Sequence, residues 1–177
     1  NNYFLSTSNK ENLLFVLEII KRFKINKNIL IKTITNFKGL KYRQQTIYNK
    51  KNIEIINDSK STSYSSSLEM LKASNNIYWL LGGIPKKGDK FNLPKIYYEN
   101  ISGYIFGKNT KKFLSDLKKK IKLKRFSNLK KALNGVYRDI KIDRSNMKTI
   151  LFSPSAASFD SFKNFEERGK YFNKLIK

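Results

Sequence analysis

Leu13, Leu14, Val16, Leu17, Ile20 and Phe23 recur at helical spacing, with polar residues on the other face. They predict a helix from Asn9 to Phe23, which Ser8 or Asn9 is placed to cap. Asn26 opens a second predicted helix through Ile29, Leu30, Ile34 and Phe37, and Gly39 follows as a stop. The period then changes. Thr46-Ile47-Tyr48 and Ile53-Glu54-Ile55-Ile56 are short β-rich runs around a polar turn, Asn49 to Asn52, and read as a hairpin or two neighbouring strands. A polar stretch, Asn57 to Ser67, leads into a helix through Leu68 and Leu71. Ile77 to Leu81 is a fully apolar strand ending at Gly82-Gly83, and Ile101 to Phe106 is another ending at Gly107. Helices are predicted from Thr110 to about Lys120 and from Phe126 to Tyr137, the second capped by Ser127. Thr149 to Phe152 is a strand ending at Ser153-Pro154, and a last helix starts at Phe159 or Ser161.

Strands that alternate with helices predict an α/β fold with a mostly parallel sheet, and fully apolar strands suit a sheet covered on both faces. Ligands of such sheets sit at the carboxyl ends of strands. That rule selects Asn57 to Thr62, Gly82 to Lys90 and Ser153 to Phe165.

Composition bounds the function. The 177 residues include 37 Lys or Arg against 13 Asp or Glu, a net charge of +24, which suggests an anionic partner. The excess is nearly all Lys, and Lys, Asn and Ile share AT-rich codons, so genome composition explains the charge as well. A 40% hydrophobic content is too high for a disordered basic tail. With no Cys and no His, zinc fingers, disulfide scaffolds and Ser–His–Asp hydrolases are excluded. No apolar run approaches bilayer length. The first residue is Asn, not Met, and a piece of a longer polypeptide is expected.

Three clusters carry candidate chemistry. Asn57-Asp58-Ser59-Lys60-Ser61-Thr62 places a carboxylate, a cation and hydroxyls after a strand. Asp suits sugar hydroxyls and Lys suits phosphate or carboxylate, though a polar turn capping the next helix explains the same residues. Leu80-Leu81-Gly82-Gly83 followed by Lys86 and Lys87 permits close backbone approach to an anion, or is an ordinary turn with solvated lysines. Leu151 to Gly169, reading LFSPSAASFDSFKNFEERG, sets small residues before a helix N-terminus, a natural place for a carboxylate or phosphate. Phe159, Phe162 and Phe165 are spaced to pack, and core is their default reading.

At these clusters the chain resembles the C-terminal domain of the Mur ligase family, in its D-glutamate-adding branch. The family signatures are close to N-D-S-K-A-T-N, to a strand ending L-L-G-G, and to L-L-S-P-A-x-A-S-x-D-x-F-x-N-F-E-x-R-G. Upstream, the end of the family's central ATPase domain carries H-N-x-x-N and F-x-G-L-x-H-R. Here those motifs read Ser8 to Asn12 and Phe37 to Arg43, with Ser8 and Tyr42 in place of the histidines.

The resemblance implies a Rossmann-like α/β domain over residues 39–177 that binds an amino acid. Residues 1–38 would be the last helices of the ATP-binding domain. It implies an ATP-dependent amide ligase of peptidoglycan precursor synthesis that adds D-glutamate to UDP-N-acetylmuramoyl-L-alanine through an acyl phosphate formed with ATP. Asn12 would lie near adenine, Arg43 and Asp58 would hold nucleotide, Asp58 through ribose, and Lys60 would sit at the reacting end. Thr62 and Lys86, or its neighbour Lys87, would bind the α-carboxylate of D-glutamate; Ser158 and the backbone N–H of Phe165 would bind the side-chain carboxylate. The resemblance further implies a cytoplasmic monomer, with no nucleic-acid or membrane partner. No GxxxxGK[ST] loop occurs in the chain. The phosphate cradle, the Mg²⁺ ligands and the UDP-sugar domain would then lie upstream, and the chain alone would be inactive. Alternatives are a basic nucleic-acid-binding domain, the C-terminal domain of another Mur or folylpolyglutamate ligase, and a non-catalytic module derived from one.

Overall fold

A computed structural model describes residues 2–5 and 7–176, with the side chains of Asn2, Leu5, Thr7 and Ser8 outside the description. The chain divides into two units, Asn1–Leu40 and Lys41–Lys177, where the sequence expectation put the division after residue 38.

The first unit holds α1 (Thr7–Arg22) and α2 (Lys27–Asn36) behind a short 3₁₀ turn, Asn2–Leu5. Asn26 caps α2, its side chain accepting the Asn28 N–H at 2.8 Å. The helix ends as Phe37 turns extended, and Gly39 takes φ +80°. α1 begins at Thr7, earlier than expected, so Asn9 lies inside its first turn and donates to the Tyr3 carbonyl at 2.8 Å instead of capping. The capping role considered for Ser8 rests on a side chain outside the described residues. The rings of Tyr3, Phe4 and Phe37 pack at 5.1–5.7 Å beside an apolar cavity of about 390 Å³. Leu14, Phe15, Ile19, Phe23, Ile29 and Ile31 nevertheless remain exposed.

The second unit is built on one six-stranded sheet. Its strands are β1 (Gln45–Lys50), β2 (Ile53–Asn57), β3 (Ile77–Gly82), β4 (Ile101–Phe106), β5 (Lys122–Phe126) and β6 (Lys148–Phe152). β1 and β2 form a hairpin whose two turn residues, Lys51 and Asn52, both have positive φ, as the twist of a tight hairpin requires. The spatial order is β1-β2-β6-β3-β4-β5, with every pair but β1–β2 parallel. The last strand in sequence thus sits between β2 and β3, and the carboxyl ends of β2, β6 and β3 lie side by side.

Side-chain alternation sorts the core into two layers. Ile77, Trp79 and Leu81 of β3 and Leu151 of β6 pack on one face with α3 (Tyr64–Ala73) and α4 (Thr110–Leu117), through Tyr64, Leu71, Phe113 and Leu117. Tyr78, Leu80, Ile150 and Phe152 pack on the other face with α5 (Leu129–Ile142) and α6 (Phe165–Ile176), where Phe172 stacks on Phe152 at 4.2 Å. Burying such side chains is the main favourable term, about 1.5–3 kcal/mol for each large one.

Three sequence expectations are corrected. Residues 122–126 form the edge strand β5, so the helix expected from Phe126 starts at Leu129, and Asn128 caps it instead of Ser127. α4 stops at Leu117, short of Lys120. The last helix starts at Phe165, because the Ser158 carbonyl accepts the N–H groups of Ser161 and Phe162 and holds that stretch in a turn. Phe159 accordingly points outward at 72% exposure and is not core.

Candidate functional site

The loops that follow β2, β3 and β6 meet at one edge of the sheet. Asp58 N–H donates to the Phe152 carbonyl at 2.8 Å, extending the β2–β6 ladder by one residue. Gly82 N–H donates to the Pro154 carbonyl at 3.1 Å, and Ile84 and Ala157 exchange N–H···O bonds of 2.9 and 3.0 Å. Gly83 has φ +126°, and a Cβ there would stand 2.3 Å from the Ala157 carbonyl. Only glycine lets the loops after β3 and β6 approach this closely.

Asp58 lies beneath these loops, 5% exposed. Its Oδ1 accepts the Gln44 N–H at 3.1 Å and its Oδ2 accepts the Ser153 hydroxyl at 2.8 Å. Burial pushes its carboxyl up to about 7, against the lowering effects of the Ser153 and Gln44 hydrogen bonds and the Arg43 charge. A chain of hydroxyls continues from it: Ser153 to Ser67 at 2.7 Å, then Ser67 to Ser155 at 2.5 Å and to Ser61 at 2.6 Å. Two residues on, Ser63 caps α3 in a capping box with Ser66.

The next residue, Ser59, is fully buried. Its hydroxyl donates to the Phe165 carbonyl at 2.8 Å and accepts from Arg168 Nε at 3.1 Å. Arg168 Nη2 donates to the Ser59 carbonyl at 2.7 Å and Nη1 to the Ala156 carbonyl at 2.9 Å. One guanidinium therefore ties the loops after β2 and β6 to the start of α6. Burial lowers its pKa to about 10, which leaves it charged near neutrality. Asp160, whose carboxyl burial raises, stands close to Gly107 at the end of β4.

Lys60 is half-buried, with its Nζ 4.1 Å from the centre of the Phe165 ring. Ser158 is buried at 3% exposure in the loop after β6, and Phe165 is the first residue of α6, with Glu166 and Glu167 in its first turn. These three residues and Asp58 sit within the hydrogen-bonded loop cluster. Thr62, Lys86 and Lys87 are exposed side chains farther along the loops after β2 and β3. Arg43 is exposed on the 42–44 turn that Asp58 holds through Gln44. Asn12 belongs to the first unit, where it lines the apolar cavity.

Sequence reasoning gave Arg168 no role, although it is the arginine of the E-x-R-G ending; its burial singles it out. It also missed the serine chain, whose members come from three separate segments. Among the described residues no three His, Cys, Asp or Glu side chains cluster as a metal site, and no helix is long and apolar enough to cross a membrane. The larger surface depressions lie elsewhere. One of about 660 Å³ opens beside Ile101 and Lys122, at the amino ends of β4 and β5.

No protein-family model matches the sequence. Curated relatives match it along its length. The chain is 37% identical over 169 residues to the UDP-N-acetylmuramoylalanine–D-glutamate ligase of Rickettsia prowazekii (strain Madrid E), covering 96% of this chain and 38% of that protein. It is 35% identical over 177 residues to the Rickettsia felis ligase of the same name, covering 100% and 39%. The chain thus spans about two-fifths of the length of the curated relatives it matches. Among solved structures, the UDP-N-acetylmuramate-alanine ligase MurC of Thermotoga maritima superposes with a TM-score of 0.59 at 14% identity, covering 97% of this chain and 39% of that one. The MurF ligase of the same organism, in complex with ADP, gives 0.59 at 15% over the same shares. These two likenesses show the fold alone: an α/β domain shared with part of each of those structures.

Proposed function

From homology along its whole length to part of the D-glutamate-adding Mur ligases, we propose that this chain is the amino-acid-binding portion of such an enzyme, with the end of its ATP-binding domain. The intact enzyme joins D-glutamate to UDP-N-acetylmuramoyl-L-alanine at the expense of ATP, in the cytoplasm, as a monomer. The observation that carries this reading is the meeting of three motif-bearing loops at the adjacent carboxyl ends of β2, β6 and β3. The exposed apolar residues of α1 and α2 support the proposed division: those helices present a face that the remainder of an ATP-binding domain would cover.

In the proposed reaction the substrate carboxylate attacks the γ-phosphorus of ATP and ADP leaves. The D-glutamate amine then attacks the acyl phosphate, releasing phosphate and a proton. Catalysis of this kind is mainly positioning and charge neutralisation. Lys60 serves the reacting end, its Nζ held beside the Phe165 ring at the start of α6. Thr62 and Lys86 take the α-carboxylate of D-glutamate, and Ser158 with the Phe165 N–H takes the distal carboxylate at the start of α6. Arg43 contacts nucleotide, and Asp58, buried as it is, contributes by fixing the Arg43 turn as well as by meeting ribose. Asn12 lies by adenine. Among the described residues no three carboxylates cluster as a metal site; the Mg²⁺ ligands are assigned to the phosphate-binding part of the intact enzyme.

The test is phosphate release by the intact polypeptide that contains this chain. Release that requires D-glutamate and UDP-N-acetylmuramoyl-L-alanine together supports the proposal. Release that is indifferent to D-glutamate overturns it, as does full turnover by these 177 residues alone.

A further inference from the structure

We propose that Arg168 is the positioning residue of the D-glutamate site, a clamp that sets the loops after β2 and β6. The inference rests on the functional reading above and extends it to a residue that no part of that reading uses.

Arg168 is 1% exposed, so it does not reach a ligand in the loop mouth itself. The three hydrogen bonds of its guanidinium go to uncharged acceptors: the hydroxyl and carbonyl of Ser59 and the carbonyl of Ala156. No carboxylate among the described residues forms an ion pair with it. Asp160 and Asp58 act on it only through space, and Asp58 is itself drawn toward its neutral form by burial. A buried cation without a contacting anion is costly, so its three guanidinium hydrogen bonds must hold it firmly in place.

The clamp also fixes geometry. Ser59 immediately precedes Lys60, and its hydroxyl passes the constraint on to the Phe165 carbonyl, on the residue whose N–H is assigned to the distal carboxylate. Ala156 lies two residues before Ser158. On the third side, a Cβ on Gly83 would stand 3.2 Å from Nη1, so Gly83 also leaves room for the guanidinium. Displacing Arg168 therefore displaces the supports of Lys60, Ser158 and Phe165 together.

The test is steady-state kinetics of Arg168→Lys in the intact polypeptide, varying D-glutamate and ATP separately. The lysine keeps the charge and loses the fork geometry, so KM for D-glutamate is expected to rise about tenfold while KM for ATP stays within about twofold. If Arg168→Lys does not fold, Ser59→Ala replaces it. That variant removes one clamp bond and the link to Phe165, with an expected rise of about threefold in the same constant. Fewer active molecules with both KM values unchanged reveals a merely structural residue and overturns the inference alone. Absence of D-glutamate-dependent turnover in the unsubstituted polypeptide overturns the functional reading, and this inference with it.

Discussion

Asp58→Asn isolates the energetic cost of burying a carboxylate under the site. In the native chain Asp58 titrates near 7, against an ordinary 3.8, because burial disfavours its charged form. A folded-state pKa above the unfolded value makes a contribution to stability that is full below the unfolded pKa and is lost as pH rises through the folded one. Asp58 therefore weakens the fold progressively from about pH 4 to about pH 7 and by a constant amount above. The gap from 3.8 to about 7, at about 1.4 kcal/mol per pH unit, amounts to about 4 kcal/mol. Asparagine keeps an oxygen for the Gln44 N–H and offers an amide to Ser153, whose hydroxyl can turn toward Ser67. The expected result is that Asp58→Asn gains about 3 kcal/mol of stability relative to the native chain between pH 5 and pH 8. Urea unfolding followed by Trp79 fluorescence measures it, since the single tryptophan is fully buried beside this network and donates to the Ser153 carbonyl at 2.7 Å. A difference between the two proteins that does not change with pH would refute the burial reasoning.

Other substitutions separate the remaining roles. Gly83→Ala forces a Cβ into the Ala157 carbonyl at φ +126° and is expected to cost about 2–4 kcal/mol, read by the same urea titration; a loss under 0.5 would show that the loops after β3 and β6 can part freely. In the intact enzyme Lys86→Ala should raise KM for D-glutamate at least tenfold and Lys87→Ala less than about twofold, while the reverse pattern moves the carboxylate contact to Lys87. Lys60→Ala should lower kcat by about a hundredfold or more, and Ser158→Ala should raise KM for D-glutamate about fivefold. Unchanged kcat/KM in both would undo the site assignment.

The strands that carry the site were legible because each is an apolar run closed by Gly, Pro or a polar cluster: Ile53 to Ile56, Ile77 to Leu81 and Thr149 to Phe152. β5 was not, because an edge strand buries little. In Lys122-Leu123-Lys124-Arg125-Phe126 only Leu123 and Phe126 offer apolar surface, and the ladder to β4 supplies the rest. The start of α6 was obscured by Phe159 and Phe162, whose three-residue spacing imitates a helix while the Ser158 carbonyl draws the backbone into a turn. The rule that ligands sit at strand ends selected the three loops from sequence alone. Their mutual contacts were invisible there, since they follow from the insertion of β6 between β2 and β3. The part played by Arg168 follows from the same insertion, which brings Ser59 and Ala156 within reach of one side chain.

The most direct measurement is transfer of labelled amino acid to UDP-N-acetylmuramoyl-L-alanine by the intact polypeptide, with D-glutamate, L-alanine, L-lysine and diaminopimelate offered in competition and ATP present. Label from D-glutamate alone, lost in Lys60→Ala, is the expected result. Transfer of any of the other three in preference to D-glutamate, or transfer that survives Lys60→Ala undiminished, would contradict the assignment of these loops as a D-glutamate site.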